Sequence, residues 1–215
     1  ERDQALEKYL FSLIHNASQT KRVPVLGFNR TSLRLSWIKH NLGGYHIHID
    51  RDPRGLWLSY QGNAERGNDT FFLNWLRILN QNATHPAFAP FLAKWPQMPH
   101  KQSPLKHSKK YCRQWLHQYG FEACYPLVFY VWALTALHAL EHADLIIDMN
   151  AENQDHHGHE VGQIIYDNTG LRPEFSLNRD EPEGENPYRE MFASTEEECL
   201  NLIRDQLDFS AIELN

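Results

Sequence analysis

The chain is poor in the features that usually announce a function. It has three cysteines, Cys112, Cys124 and Cys199, an odd number without close spacing. That excludes a disulfide framework and a zinc knuckle, and makes a reducing compartment the default. No G-x-G-x-x-G, P-loop or G-x-S-x-G sequence occurs, so the nucleotide-binding and serine-hydrolase templates are missing. Gly43-Gly44 reads only as a turn. No repeat is present, and no signal peptide is read at the start. The longest apolar run, Leu127 to Leu140, is shorter than the roughly 20 residues a bilayer requires. A cytoplasmic protein with no membrane partner is the expectation. Four N-x-S/T sequons, at Asn16, Asn29, Asn68 and Asn82, matter only in a eukaryotic secreted protein.

Acid is missing from one long stretch. Residues 70–121 hold seven Lys/Arg and no Asp/Glu. Residues 1–69 are mildly basic, at net +3, whereas residues 122–215 hold 20 acids against four bases. The sum over 215 residues is −6. Two accounts follow: the segments neutralise each other within the fold, or one of them meets a charged partner. Composition is otherwise ordinary, 41% hydrophobic and 22% charged, which excludes global disorder and permits a sizeable core.

The organising element is Tyr125 to Met149. Pro126 suits a first helical turn, and the apolar residues after it predict a helix buried nearly all round. Upstream, residues 3–15 show a helical stripe. The period then drops to two. Val23–Phe28, Leu33–Trp37, Tyr45–Asp50 and Leu56–Tyr60 read as strands, with turns at His40–Gly44 and Asp52–Gly55. Helices are predicted from Asp69 or Thr70 to Gln81, over Pro86–Trp95, and from Ser108 to Tyr119, ended by Gly120. Leu145–Met149 either extends the central helix or forms a short strand. Asn150–Glu160 reads as a polar loop, Gln163–Asp167 and Glu174–Leu177 as strands, and Asn178–Asn186 as an acidic loop. Ser194 and Glu197 form a capping box opening the last helix. The expected fold is a single α+β domain over 1–215. An antiparallel β-meander near the N-terminus packs on a helical section with a central buried helix, capped by a C-terminal helix.

Three constellations could carry chemistry. His138-Ala-Leu-Glu141-His142 matches H-x-x-E-H, whose i, i+4 imidazoles can hold one zinc ion while Glu141 polarises a bound water. The third ligand would come from Glu196, Glu197 or Glu198. The competing expectation is that His138 and His142 are structural, facing the carbonyl end of the helix dipole. His46-Ile-His48-Ile-Asp50 places two imidazoles on one strand face. Asp155 to Glu160, with Glu152 nearby, is His-rich and can bind metal or simply be solvated. The Lys/Arg residues between 94 and 113, interleaved with Trp95, Tyr111 and Trp115, suit phosphate and base stacking. The negative net charge argues against nucleic acid, which is not an expected partner.

Gly44-Tyr45 opening a strand, Leu56-Trp57-Leu58, and Glu65-Arg66-Gly67 before an aromatic helix resemble small immunity proteins of bacterial polymorphic toxins. So does the tail Met191-Phe192-Ala193-Ser194-Thr195-Glu196-Glu197. The resemblance covers about 40 residues and carries no catalytic signature. It implies a non-catalytic inhibitor that neutralises a cognate toxin domain through an acidic surface, without a cofactor. The expected contact residues are Asp180, Glu181, Glu183, Glu185, Asp155 and Glu160. The alternative is a zinc-dependent hydrolase using His138, Glu141 and His142.

Overall fold

A computed structural model describes residues 2–28, 32–100, 105–149, 155–174 and 187–206. Among them run α1 (Arg2–Gln19), α2 (Leu35–Leu42), β1 (Ile47–Asp50), α3 (Pro53–Glu65), α4 (Thr70–Gln81) and α5 (Ala89–Lys94). There follow α6 (Leu105–Tyr119), α7 (Tyr125–His142), β2 (Leu145–Asp148), α8 (Asp155–Thr169) and α9 (Arg189–Gln206). Helix dominates, and the two short strands pair in parallel. The expected antiparallel meander is therefore wrong.

The errors have identifiable causes. Val23–Phe28 has no regular structure, and Leu33–Trp37 is a single 3-10 turn running into α2. Five alternating residues also fit a helix that buries Leu33 and Ile38, so so short a period does not discriminate. Asp52-Pro53-Arg54-Gly55 is not a hairpin turn but the start of α3. The Asp52 carboxylate accepts from the Gly55 N–H at 2.7 Å, and Pro53 takes the first helical position. Leu56–Tyr60 is accordingly helical. Gln163–Asp167 lies inside α8, where Gln163 donates to Asp167 across one turn at 2.7 Å. The polar loop expected up to Glu160 is helical from Asp155. Glu174 has no regular structure, and the rest of the strand read there lies outside the described residues. Ser194 caps nothing, because α9 already begins at Arg189.

Other elements stand where the sequence put them. β1 occupies part of Tyr45–Asp50, α4 spans Thr70–Gln81, and Gly120 follows α6 with φ of +80°. α7 is the expected apolar helix, with Leu127, Val128, Tyr130 and Leu134 buried. With the turn before it, Glu122–His142 is 21 residues long and apolar enough to cross a membrane by length and composition. The apolar-run estimate of its span was thus too short. Some 61% of its most apolar window is buried inside the protein, as a core helix requires.

The contacts divide the chain into two compact units. The first draws on Glu1–Asp50 and Leu137–Asp180, the second on Arg51–Ala136 and Glu181–Leu214. In the first, β1 pairs with β2 in the register Ile47 to Leu145 through Asp50 to Asp148. Ile147 packs on Val161 and Ile165 of α8, with Leu145 and Met149 beside them. In the second, Trp57 is fully buried at the centre of an aromatic cluster. Phe72, Tyr125, Tyr188 and Phe192 meet its ring edge-on at 5.0–6.1 Å between centroids.

Candidate functional site

In the first unit, the histidine end of α7 is built into a polar staple. Lys39 of α2 donates to an Asp144 carboxylate oxygen at 2.6 Å and to the His142 carbonyl at 3.1 Å. The other Asp144 oxygen accepts from the His46 backbone N–H at 2.8 Å. Lys39 thus places a cation on one of the last carbonyls of α7, where the helix dipole favours it. Asp144 ties α2 and the start of β1 to the turn before β2. Burial pushes the Asp144 carboxyl up, but the bonds from Lys39 and the His46 N–H outweigh it and leave the group below its ordinary value. Burial lowers the His46 imidazole against the pull of Asp144, and it lowers His48 against that of Asp50.

The H-x-x-E-H residues do not share one environment. His138 is 4% exposed, and its ring lies 4.5 Å from that of His142. The Glu141 side chain is 74% exposed and approaches His142 Nε2 only to 3.7 Å. Among the described residues, no three His, Cys, Asp or Glu side chains converge as a metal-ligand group. Two of the acids suggested as third ligands are engaged within the second unit. Glu196 is held by Arg54 and Tyr125, and Glu198 lies 3.3 Å from Lys94. His48 and Asp50 stand on one face of the β1–β2 ladder, beside Ile146 and Asp148.

The second unit holds a cluster that sequence reading missed. Arg54 grips Glu196 through two parallel bonds of 2.7 and 2.6 Å, and the buried Tyr125 hydroxyl donates to the same carboxylate at 2.5 Å. Burial, then the bond to Glu196, drives the Tyr125 phenol far above its ordinary value, so it stays protonated. The Arg54 guanidinium lies 6.0 Å from the Phe192 ring centroid. Tyr188 accepts from Gln61 at 2.6 Å. No local pattern signals it, because Arg54, Tyr125 and Glu196 lie on α3, α7 and α9.

Of the expected partner-contact residues, Asp180, Glu181, Glu183 and Glu185 lie outside the described residues, as does the Asp155 side chain. Glu160 is exposed on α8. Comparison with protein-family models, with curated proteins and with solved structures returns no match.

Proposed function

We propose that the protein is a non-catalytic binding protein, an immunity-like inhibitor that neutralises a bacterial toxin domain by covering it. The observation that carries this reading is the Arg54–Glu196–Tyr125 cluster. Of the residues on which the resemblance rests, Trp57, Phe192 and Glu196 are spent on packing and internal bonds, whereas Glu65, Arg66, Gly67, Ser194 and Glu197 are exposed. Trp57 and Phe192 are fully buried, and the Glu196 carboxylate is bonded by two partners. The core part of the resemblance speaks for a shared scaffold, with recognition left to the surface. The acidic portion after residue 121 is the contact surface this reading assigns, through Asp180, Glu181, Glu183 and Glu185.

The test is to look for a toxin gene beside the one for this chain and to co-express its toxin domain with the chain. Restored growth and co-purification of the two proteins are the expected outcome. Zinc is measured on the same untreated preparation. Failure to protect, together with stoichiometric zinc that His142→Ala removes, would replace this reading with the hydrolase.

A further inference from the structure

α6 divides sharply into two faces. Ser108, Cys112, Trp115 and Leu116 are buried. The opposite side carries Lys109, Lys110, Arg113, Gln114 and His117, which line an open groove of about 550 Å³. Positions 109/110, 113 and 117 fall on successive turns, so the cationic row runs about 12 Å along the helix. It lies in the 52-residue stretch without an acid.

Internal pairing leaves much of that charge uncompensated. Arg113 is bonded in two places to Asp69, at 2.8 and 2.9 Å, and Lys109 lies in the field of the same carboxylate. Farther along the basic stretch, Lys94 meets Glu198. Lys109 and Lys110 enter no salt bridge among the described residues, and both are exposed. Two of the three aromatic residues that could have stacked on bases are committed elsewhere. Trp115 is buried and donates to the Gln97 carbonyl at 2.6 Å, and Trp95 packs on Phe91 with centroids 4.8 Å apart.

We propose that this face of α6 docks a compact acidic patch of a protein partner, whose carboxylates meet Lys109, Lys110 and His117. The inference rests on the reading of the chain as a binding protein, and it adds a basic contact face to the acidic one. A short cationic row matches a confined patch of carboxylates. A long polyanion would also have to lie against a molecule of net charge −6. The exposed phenol ring at the end of α6, Tyr119, is already stacked on Trp115, so single-stranded nucleic acid finds little there beyond charge.

The experiment compares wild type, Lys109→Glu/Lys110→Glu and Lys109→Arg/Lys110→Arg in the full chain. The probes are a poly-L-glutamate peptide and a DNA duplex of matched charge, titrated at about 50 and about 150 mM salt. The expected result is salt-sensitive peptide binding, weakened about tenfold by the Glu pair. The Arg pair retains it, the duplex binds no more tightly, and the unfolding midpoint is unchanged. No peptide binding, or equal binding by the Glu pair, overturns the proposal. Tighter binding of the duplex, lost in the Glu pair, overturns it in favour of nucleic acid. Co-expression separates the two readings. Protection by wild type and equally by the Glu pair removes α6 from the contact and leaves the inhibitor standing. A wild type that fails to protect removes the inhibitor, and the peptide titration then decides the α6 face alone.

Discussion

Glu196 occupies the position with the most to lose. Its carboxylate accepts two bonds from Arg54 and one from the buried Tyr125 hydroxyl. Glu196→Ala strands the buried Tyr125 hydroxyl and leaves the 42% exposed Arg54 side chain to water, and we expect a loss of about 2 kcal/mol in a urea titration. Tyr125→Phe removes one donor and leaves the Arg54 pair, so about 1 kcal/mol is expected. Equal losses from the two would contradict the assignment of roles. Titration makes a second residue-scale prediction. His46 and His48 have lowered pKa values from burial, so the folded state favours their neutral forms. Their contribution is intact above the ordinary value of 6.5 and is lost as pH falls through the lowered values. Asp144 and Asp69 are also held below their ordinary 3.8, and their contribution disappears at still lower pH. Unfolding midpoints should therefore fall in two stages on acidification. Replacing His46 and His48 with Asn should flatten the upper stage alone; a profile unchanged by that pair would contradict the burial argument.

At the scale of elements, two packings hold the units. Trp57 of α3 is enclosed by rings from α4, α7 and α9 and by Tyr188. Trp57→Ala is expected to cost about 3–5 kcal/mol, measured by chemical denaturation. In the first unit, β2 rests on α8 through Ile147, Val161 and Ile165. Ile147→Ala should cost about 2–4 kcal/mol and speed hydrogen exchange at the β1–β2 amides. Slow exchange there in the variant would mean that other contacts hold the sheet. The same sheet leaves Ile49 62% exposed, although it shares a face with the buried Ile147. α8 therefore covers that face unevenly.

At the scale of the whole molecule, charge is the observable to vary. Replacing Asp180, Glu181, Glu183 and Glu185 together with Asn or Gln tests the acidic contact surface. If co-expression identifies a toxin partner, we expect slower, less salt-sensitive association with it at an unchanged unfolding midpoint, since screening acts over a Debye length of about 8 Å at physiological ionic strength. A loss confined to stability would show that these charges are paired internally. The pairs Lys94–Glu198 and Arg54–Glu196 show that internal neutralisation occurs elsewhere in the chain.

Local chemistry made several elements legible in the residues alone. Pro126 and the apolar run after it specify α7, and Gly120 ends α6; the helical period specifies α4 but not its inner face, since a stripe of Phe71, Trp75, Ile78 and Leu79 fits it as well as the Phe72, Leu73, Leu76 and Leu79 that are buried. Each signal acts over one or two turns, so no distant partner is needed to read it. The sheet was decided otherwise. β1 finds its partner 98 residues away, in a parallel pairing that leaves no hairpin signal. α3 carried two opposed messages, because Asp-Pro-x-Gly starts a turn or a helix equally well, and burial of Trp57 among four rings selected the helix. The Glu196 cluster was invisible for the same reason: its three residues come from three helices and meet only when α3, α7 and α9 pack. Short-range pattern fixes an element when its own neighbours bury it; contacts across the chain choose among forms that local energies leave nearly equal.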